Sequence, residues 1–393
     1  MPGLYLHIPF CSEICPYCDF AVRKGGPDQG GLFVGALQSE IRGLRSGELL
    51  PEAPELAETV SQLVEAPFDT VYLGGGTPSF LSPDELSRLF DTLFRVFHLE
   101  SGCRFYLEAN PEDVEPERLK AWRRLGIDTL SLGIQSLDDE RLRFLGRRHD
   151  GDEARRAVRE ARAEDFHTVS VDLIYGVPGQ TLSAWREELA QALELGADHL
   201  SLYELEFHPR TTFGKKLERG EMQESAEETR ADLFVHTHEA LEQAGWDIYE
   251  VSNFARDPEF RSRHNAKYWR HVPYLGLGPS AHSYMAGWRF WNERSEPAWR
   301  RLIEDGTSPA MGWEKVPDSA LDLERLMLGL RVAAGVDLER LQSTDAAAFL
   351  SQNEALLEGW RQRAWVTVED DRYLVPSTRG MALADRLAGE LEL

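Results

Sequence analysis

The stretch "LYLHIPFCSEICPYCDF" at residues 4–20 holds three of the four cysteines in this 393-residue chain. A strand-like run comes first, and Cys11, Cys15 and Cys18 follow it with the spacing C-x3-C-x2-C. Cysteines clustered in this way in a reducing compartment hold metal more often than they form disulfides. The stretch therefore predicts a strand with a metal or cluster site at its carboxyl end.

Two kinds of metal site fit three neighbouring thiolates. A structural zinc ion takes four ligands, so a histidine or a remote cysteine would have to complete it. A [4Fe–4S] cluster uses thiolates at similar spacings and normally takes four of them. With three, one iron would stay open for an outside ligand. The remaining Cys103 adjoins a predicted strand and is expected to be a small buried side chain.

Six strand-like runs recur in the first two hundred residues, with segments of helical periodicity between them at 83–97, 116–126 and 183–196. This alternation predicts an α/β fold with a parallel sheet, and six units predict a partial (β/α) barrel. Functional residues should then follow the strands, as the cysteines, "GGGTP" and "GIQS" do. The runs are "LYLHIP" (4–9), "TVYLG" (70–74), "RFYLEA" (104–109), "TLSLGI" (129–134), "TVSVDLIYG" (168–176) and "HLSLYEL" (199–205).

The rest of the chain has a different pattern. A helix is predicted around 226–245, and a Trp/Tyr/Gly-rich stretch follows at 268–291. The last part predicts amphipathic helices and a hairpin, which together suggest a small winged-helix-like domain. We therefore expect a partial barrel at 1–240, a linking region at 241–309 and a C-terminal helical domain at 310–393.

The composition narrows the range of partners. The chain has 67 acidic and 43 basic residues and a net charge of −24. Because phosphates are held by clustered lysine and arginine, a nucleic-acid partner is not expected. No run approaches eighteen consecutive apolar residues, so no membrane span is predicted. The start lacks a charged n-region and a cleavage site, so we expect a cytoplasmic protein.

The cysteine spacing, with Tyr17 just before the last cysteine, resembles the signature of the radical S-adenosylmethionine (radical SAM) superfamily. In that superfamily the fold is a partial or full (β/α) barrel with the cluster in the loop after the first strand. The resemblance implies that the three cysteines hold a [4Fe–4S] cluster. It also implies that S-adenosylmethionine binds the open iron, where an electron cleaves it to a 5′-deoxyadenosyl radical.

Further segments resemble oxygen-independent coproporphyrinogen III oxidase and its relatives: "YLHIPFC", "GGGTP", "LEANPED", "LGIQSLDD", "FLGRRH" and "VDLIYGVPGQT". On its own, the glycine motif also fits a tight turn. Arg147 and Arg148 are adjacent, so the match there is ambiguous by one residue, and we favour Arg147. The residues that the resemblance places around S-adenosylmethionine are Tyr5, Tyr17, Gly75, Gly76, Thr77, Glu108, Gln135, Arg147 and Asp172.

Two departures from the oxidase favour a different branch of the family. The oxidase has a further cysteine two positions after the third, where this chain has Phe20. It also has a longer segment before its cysteines. Both features resemble the haem-chaperone branch, called HemW, and so does "HNAKYW" at 264–269, which fits that branch's H-N-x-x-Y-W motif.

The H-N-x-x-Y-W match makes His264, Tyr268 and Trp269 candidates for contact with haem. Histidine is a common haem ligand, aromatic rings suit the face of a macrocycle, and nearby basic residues suit its propionates. These residues also fit an ordinary core, with His264 satisfied by hydrogen bonds. His271 and His282 remain alternatives as the ligand.

The function implied by the resemblance is that of a haem chaperone, which binds haem and passes it to an acceptor protein. An electron donor such as a flavodoxin or ferredoxin and a peripheral membrane contact are further expectations. The alternative function is oxidative decarboxylation of coproporphyrinogen III in porphyrin biosynthesis, so the sequence leaves open whether the chain is an enzyme. A zinc-stapled interaction protein is the third possibility.

Overall fold

The computed structural model describes residues 1–26 and 28–393. All six predicted strands are confirmed, as are the helices predicted between them. The strands of this first part are β1 (Gly3–Ile8), β2 (Phe10–Cys11), β3 (Arg23–Lys24), β4 (Phe68–Gly75), β5 (Leu99–Ala109), β6 (Thr129–Gln135), β7 (Thr168–Tyr175) and β8 (His199–Glu204). The helices are α1 (Gln29–Ser46), α2 (Pro54–Glu65), α3 (Pro83–Val96), α4 (Pro116–Arg124), α5 (Asp139–Phe144), α6 (Gly151–Ala163), α7 (Leu182–Glu194), α8 (Thr212–Glu218) and α9 (Glu227–Gln243).

Helix α3 shows how the sequence sets these elements. It begins after Ser82, whose hydroxyl accepts a hydrogen bond from the backbone N–H of Glu85, and the Glu85 carboxylate accepts one from the backbone N–H of Ser82. Such a capping box satisfies donors that a helix start otherwise leaves free. Leu86, Leu89 and Phe90 then recur at helical spacing and are buried against the sheet.

The middle of the chain extends the sheet on both sides. Its elements are β9 (Asp247–Ile248), β10 (Asn253–Ala255), α10 (Asn265–Trp269), β11 (Tyr274–Leu277), β12 (His282–Met285), β13 (Trp288–Asn292), α11 (Glu296–Glu304) and β14 (Ala310–Lys315). The described residues form one sheet of 12 strands in the order β14-β13-β12-β11-β1-β4-β5-β6-β7-β8-β10-β9.

Strands β11, β1 and β4 to β8 run parallel, and the outer strands pair antiparallel. The parallel strands alternate strictly between their two faces. Leucine and valine side chains such as Leu107, Leu130 and Val171 are buried in the main apolar core. The neighbouring positions, such as Glu108 and Asp172, line a cavity. Because side chains along a strand alternate between its two faces, one face of the sheet forms the core and the other face lines the cavity.

The C-terminal part forms its own apolar cluster around Leu326, Phe349, Trp360, Leu374 and Leu387. Helices and an antiparallel three-stranded sheet alternate in it, which fits the predicted helical, winged-helix-like region. The domain boundaries remain predictions. The elements are α12 (Asp318–Gly329), β15 (Val336–Asp337), α13 (Ala346–Gln352), α14 (Glu354–Gln362), β16 (Val366–Glu369), β17 (Tyr373–Pro376), α15 (Thr378–Met381) and α16 (Ala384–Glu390). No helix among the described residues is long and apolar enough to cross a bilayer.

A buried ion pair holds the "HNAKYW" segment to the barrel. The ammonium of Lys267, almost fully buried, lies 2.5 Å from Asp69 and also donates to the backbone oxygen of Met1. Arg263 contacts the same carboxylate at 3.1 Å. The segment is therefore bound to the amino end of β4 rather than to the end that carries the cysteines.

We expect Lys267→Met to lower the free energy of unfolding by about 3 kcal/mol, because it leaves Asp69 buried with a more exposed partner. Chemical denaturation measures the change. Lys24→Met is the matched control, since Lys24 and Glu13 also pair at 2.5 Å but both are exposed. An equal loss of stability in the two variants would contradict a structural role for the buried pair.

Candidate functional site

The cysteine loop is fastened to the glycine motif through the backbone. The N–H of Gly76 donates to the oxygen of Ile8, and the N–H of Thr77 donates to the oxygen of Phe10, both at 2.8 Å. A Cβ at position 76 would lie 2.7 Å from that Phe10 oxygen and 3.0 Å from the sulfur of Cys11. Only glycine fits at position 76, so the motif allows the cysteine loop to lie against the backbone that follows β4.

Next to this junction is a cavity of about 560 Å³ that is lined by residues along the inner face of the parallel strands. The structure places eleven of the twelve predicted cluster and cofactor residues on its wall. Tyr5 is the exception. Its hydroxyl contacts Nδ1 of His7 at 3.1 Å, and its ring stacks on that of Tyr72. The eleven are Cys11, Cys15, Cys18, Tyr17, Gly75, Gly76, Thr77, Glu108, Gln135, Arg147 and Asp172.

The three cysteines face the cavity together, and the backbone N–H of Cys18 donates to the oxygen of Cys15. In the described part of the chain, no three Cys, His, Asp or Glu side chains are gathered tightly enough for a single metal ion. A zinc ion would draw its sulfur ligands to within about 4 Å of one another. A [4Fe–4S] cluster binds each of its thiolates to a different iron, and the three cysteines on one cavity wall can supply three such thiolates.

The thiols of Cys11 and Cys18 become thiolates at neutral pH only when a metal binds them. Burial raises the pKa of Cys11 to about 11, and it also raises the pKa of Cys18. Without iron, both therefore hold their protons at neutral pH. Since a metal-bound thiol is deprotonated, loading the site releases protons.

Arg147 links the cysteine loop to the strand ends. One of its terminal nitrogens donates to the Asn110 side chain at 2.6 Å and to the Gly133 oxygen at 2.9 Å. The other lies 3.4 Å from the sulfur of Cys15. Its neighbour Arg148 is exposed and is not among the residues on the cavity wall. The geometry thus favours Arg147 over Arg148.

Two carboxyl groups also lie on the cavity wall. Glu108 accepts hydrogen bonds from the Tyr72 hydroxyl at 2.7 Å and from the Gly75 N–H at 3.1 Å. Asp172 accepts one from Ser131 at 3.1 Å. Burial raises the pKa of Glu108 to about 7 and that of Asp172 to about 6. Near neutral pH these groups can either accept or donate a hydrogen bond to a polar ligand.

Several wall residues escaped the sequence analysis. Except for Asn110, which lies within "LEANPED", they fall outside the quoted motifs. Each occupies a cavity-facing position of a strand or the loop after it, so alternation along the strands would have identified most of them. They are Tyr72, Asn110, Ser131, Ser201 and Tyr203.

Of the "HNAKYW" residues, Asn265 lies on the cavity wall, whereas His264, Tyr268 and Trp269 do not. His264 is almost fully buried, and its two ring nitrogens contact the hydroxyls of Thr70 at 2.9 Å and Tyr268 at 3.0 Å. Burial lowers its pKa to about 3. Trp269 is half-buried, and its ring N–H has no partner in the described residues. The haem role of His264, Tyr268 and Trp269 stays a prediction, and ligation by His264 would require breaking both of its contacts.

Curated relatives match nearly the whole of this chain. The family model of the radical SAM superfamily matches residues 5–192. The relatives include "Heme chaperone HemW" of Synechocystis, 34% identical over 95% of this chain and 88% of that protein. The Bacillus subtilis protein of the same name is 33% identical over 86% of each chain. That of Mycobacterium tuberculosis is 34% identical over 99% of this chain and 94% of its own.

The chain belongs to the HemW family of the radical SAM superfamily. Membership in the superfamily implies a [4Fe–4S] cluster and S-adenosylmethionine. The structure of coproporphyrinogen III oxidase (HemN) from Escherichia coli, a radical SAM enzyme, superimposes with a TM-score of 0.81. The superposition covers 99% of this chain and 89% of the oxidase chain at 21% sequence identity, which shows a shared fold.

Arg147→Lys should weaken S-adenosylmethionine binding about tenfold, since lysine cannot reproduce the planar fork that bridges the loop and the strand ends. Equilibrium dialysis with anaerobically reconstituted protein measures this. Arg148→Lys is the control, and its affinity should match the parent's. If Arg148→Lys weakened binding more than Arg147→Lys, the match would be off by one residue.

Glu108→Gln should change how stability depends on pH. The pKa of Glu108 in the folded protein, about 7, lies above its ordinary value of 4.5, so the folded state holds the proton more tightly. The free energy that protonated Glu108 contributes to folding is fully present below pH 4.5, and it is lost as the pH rises through 7. Between these two pH values the free energy of unfolding of the cofactor-free parent should fall by about 3 kcal/mol relative to that of Glu108→Gln. Denaturation curves at several pH values measure the difference. Exposed Glu117→Gln should keep the parent's pH profile, and an identical profile in Glu108→Gln would refute the assignment.

Proposed function

We propose that this protein binds haem and delivers it to an acceptor protein, with a [4Fe–4S] cluster and S-adenosylmethionine bound beside the haem. The family membership supports this, because relatives that share nearly the whole chain are named haem chaperones. The observation that carries it in the structure is Phe20. This side chain is 67% exposed at the mouth of the cavity, where the oxidase resemblance expects a cysteine.

The residues of the site have separate roles in this proposal. Cys11, Cys15 and Cys18 hold the cluster, which can supply an electron to S-adenosylmethionine when both are bound. Arg147 fixes the cysteine loop against the strand ends. Glu108 and Asp172 hydrogen-bond the polar groups of the cofactor, and their raised pKa values let them do so with or without a proton.

The exposed Phe20 side chain at the mouth of the cavity suits a protein that releases its ligand better than one that encloses a substrate. Radical chemistry on a substrate needs a site that excludes water. A carrier must instead present its cargo to a second protein, and an exposed apolar side chain beside the cargo offers a contact for that protein. An electron donor such as a flavodoxin or ferredoxin, a cytoplasmic location and a peripheral membrane contact fit this scheme and remain proposals.

The alternative function is coproporphyrinogen III decarboxylation. The shared fold with the E. coli oxidase is the observation in its favour. Both proposals use the same cluster, so spectroscopy of the cluster does not distinguish them.

Haemin titration of anaerobically reconstituted protein, read at the Soret band, distinguishes the two functions. We expect saturable one-to-one binding with a Kd of about 1 µM or tighter. The same preparation, given coproporphyrinogen III with reductant and S-adenosylmethionine, should form no protoporphyrinogen. Turnover without saturable haemin binding would overturn the proposal in favour of the oxidase.

A further inference from the structure

The inner face of the barrel continues beyond β1. Strand β11 pairs with β1 so that Gly276 lies beside Tyr5, and the antiparallel partners β12, β13 and β14 follow. Paired residues project to the same face of a sheet. His282, Trp291 and Gly312, which are paired in that order across the three strands, therefore lie on the same face as Tyr5. We call these three residues the extension face.

The extension face carries an imidazole beside a flat ring. The rings of His282 and Trp291 stack with centroids 5.8 Å apart and 27° between their planes. Trp291 lies directly on Gly312, where a Cβ would come within 2.3 Å of the ring. The side chain of His282 is exposed and makes no hydrogen bond to another described residue. Its nitrogens are thus available to a ligand, unlike those of His264.

This face lies next to the cysteine loop. Arg294 donates to the backbone oxygen of Asp19 at 3.3 Å, and His7 contacts the backbone oxygen of Ala21 at 2.9 Å. Burial lowers the pKa of His7. Arg294 follows Trp291 by three residues, so its contact with Asp19 places the end of β13 beside the loop. The exposed Phe20 lies within the same loop segment.

The charges suit an anionic, planar ligand. Arg294 is exposed and forms no ion pair among the described residues, whereas the Asp19 carboxylate is already paired with Arg210 at 2.6 Å. An exposed histidine whose ring nitrogens have no partner among the described residues can bind iron, and an exposed arginine near it can pair with a propionate.

We propose that haem is held on the extension face, with His282 as its axial ligand, Trp291 beside the porphyrin ring and Arg294 at a propionate. This assignment rests on the proposed haem-binding function and deepens it. His271, the other histidine considered, is a poor rival. Its side chain is only 9% exposed and is enclosed by Tyr284 and Glu324.

Haemin titrations of the reconstituted full chain test the assignment. His282→Ala should raise the Kd at least about tenfold and shift the Soret band, and added imidazole should restore the parent spectrum. His98→Ala, which removes an exposed histidine at the opposite end of the strands, should bind like the parent. If the parent binds and His282→Ala keeps its Kd within twofold, the assignment is wrong while the function stands. If the parent does not bind, both fail.

A second variant tests the propionate contact without touching the iron ligand. Arg294→Gln should weaken haemin binding several-fold but leave the binding of haemin dimethyl ester unchanged, because the ester carries no charge to pair. Equal weakening for both ligands would show that Arg294 acts through the loop and not on a propionate, and would overturn that part of the assignment.

Discussion

Two backbone hydrogen bonds, from Gly76 to Ile8 and from Thr77 to Phe10, set the geometry of this protein. They hold the chain just before Cys11 against Gly76 and Thr77, at a distance that only glycine permits. Because β1 runs parallel to both of its neighbours, the loop after it opens at the edge where the other parallel strands end. The cysteines, the polar cavity and the extension face all meet at that edge.

The polar interior of the barrel is the second consequence. Leucine and valine on one face of each parallel strand form the core, so the other face is free to carry Tyr72, Glu108 and Asp172. Burying these carboxyl groups without a fixed positive partner disfavours their charged forms. This burial lowers the stability of the ligand-free protein, but the polar groups of a bound ligand can form hydrogen bonds with the same carboxyl groups. Stability and binding are thus opposed at these positions.

The sequence predicts the barrel well because strand alternation and the cysteine spacing are local patterns. It does not predict the strands β11 to β14 as part of the same sheet, because their pairing depends on contacts between distant segments. For the same reason it cannot distinguish His264 from His282. Both occur in aromatic-rich stretches, and only the fold shows that Thr70 and Tyr268 enclose the first and leave the second exposed.

The central claim is that haem lies on the extension face, next to the cysteine loop and beyond the barrel cavity. Anomalous scattering at the iron edge, from anaerobically grown crystals of the haemin complex, would locate both iron centres in one map. Our account predicts one peak among Cys11, Cys15 and Cys18 and a second peak beside the His282 ring. A second peak inside the barrel cavity or beside His264 would contradict it.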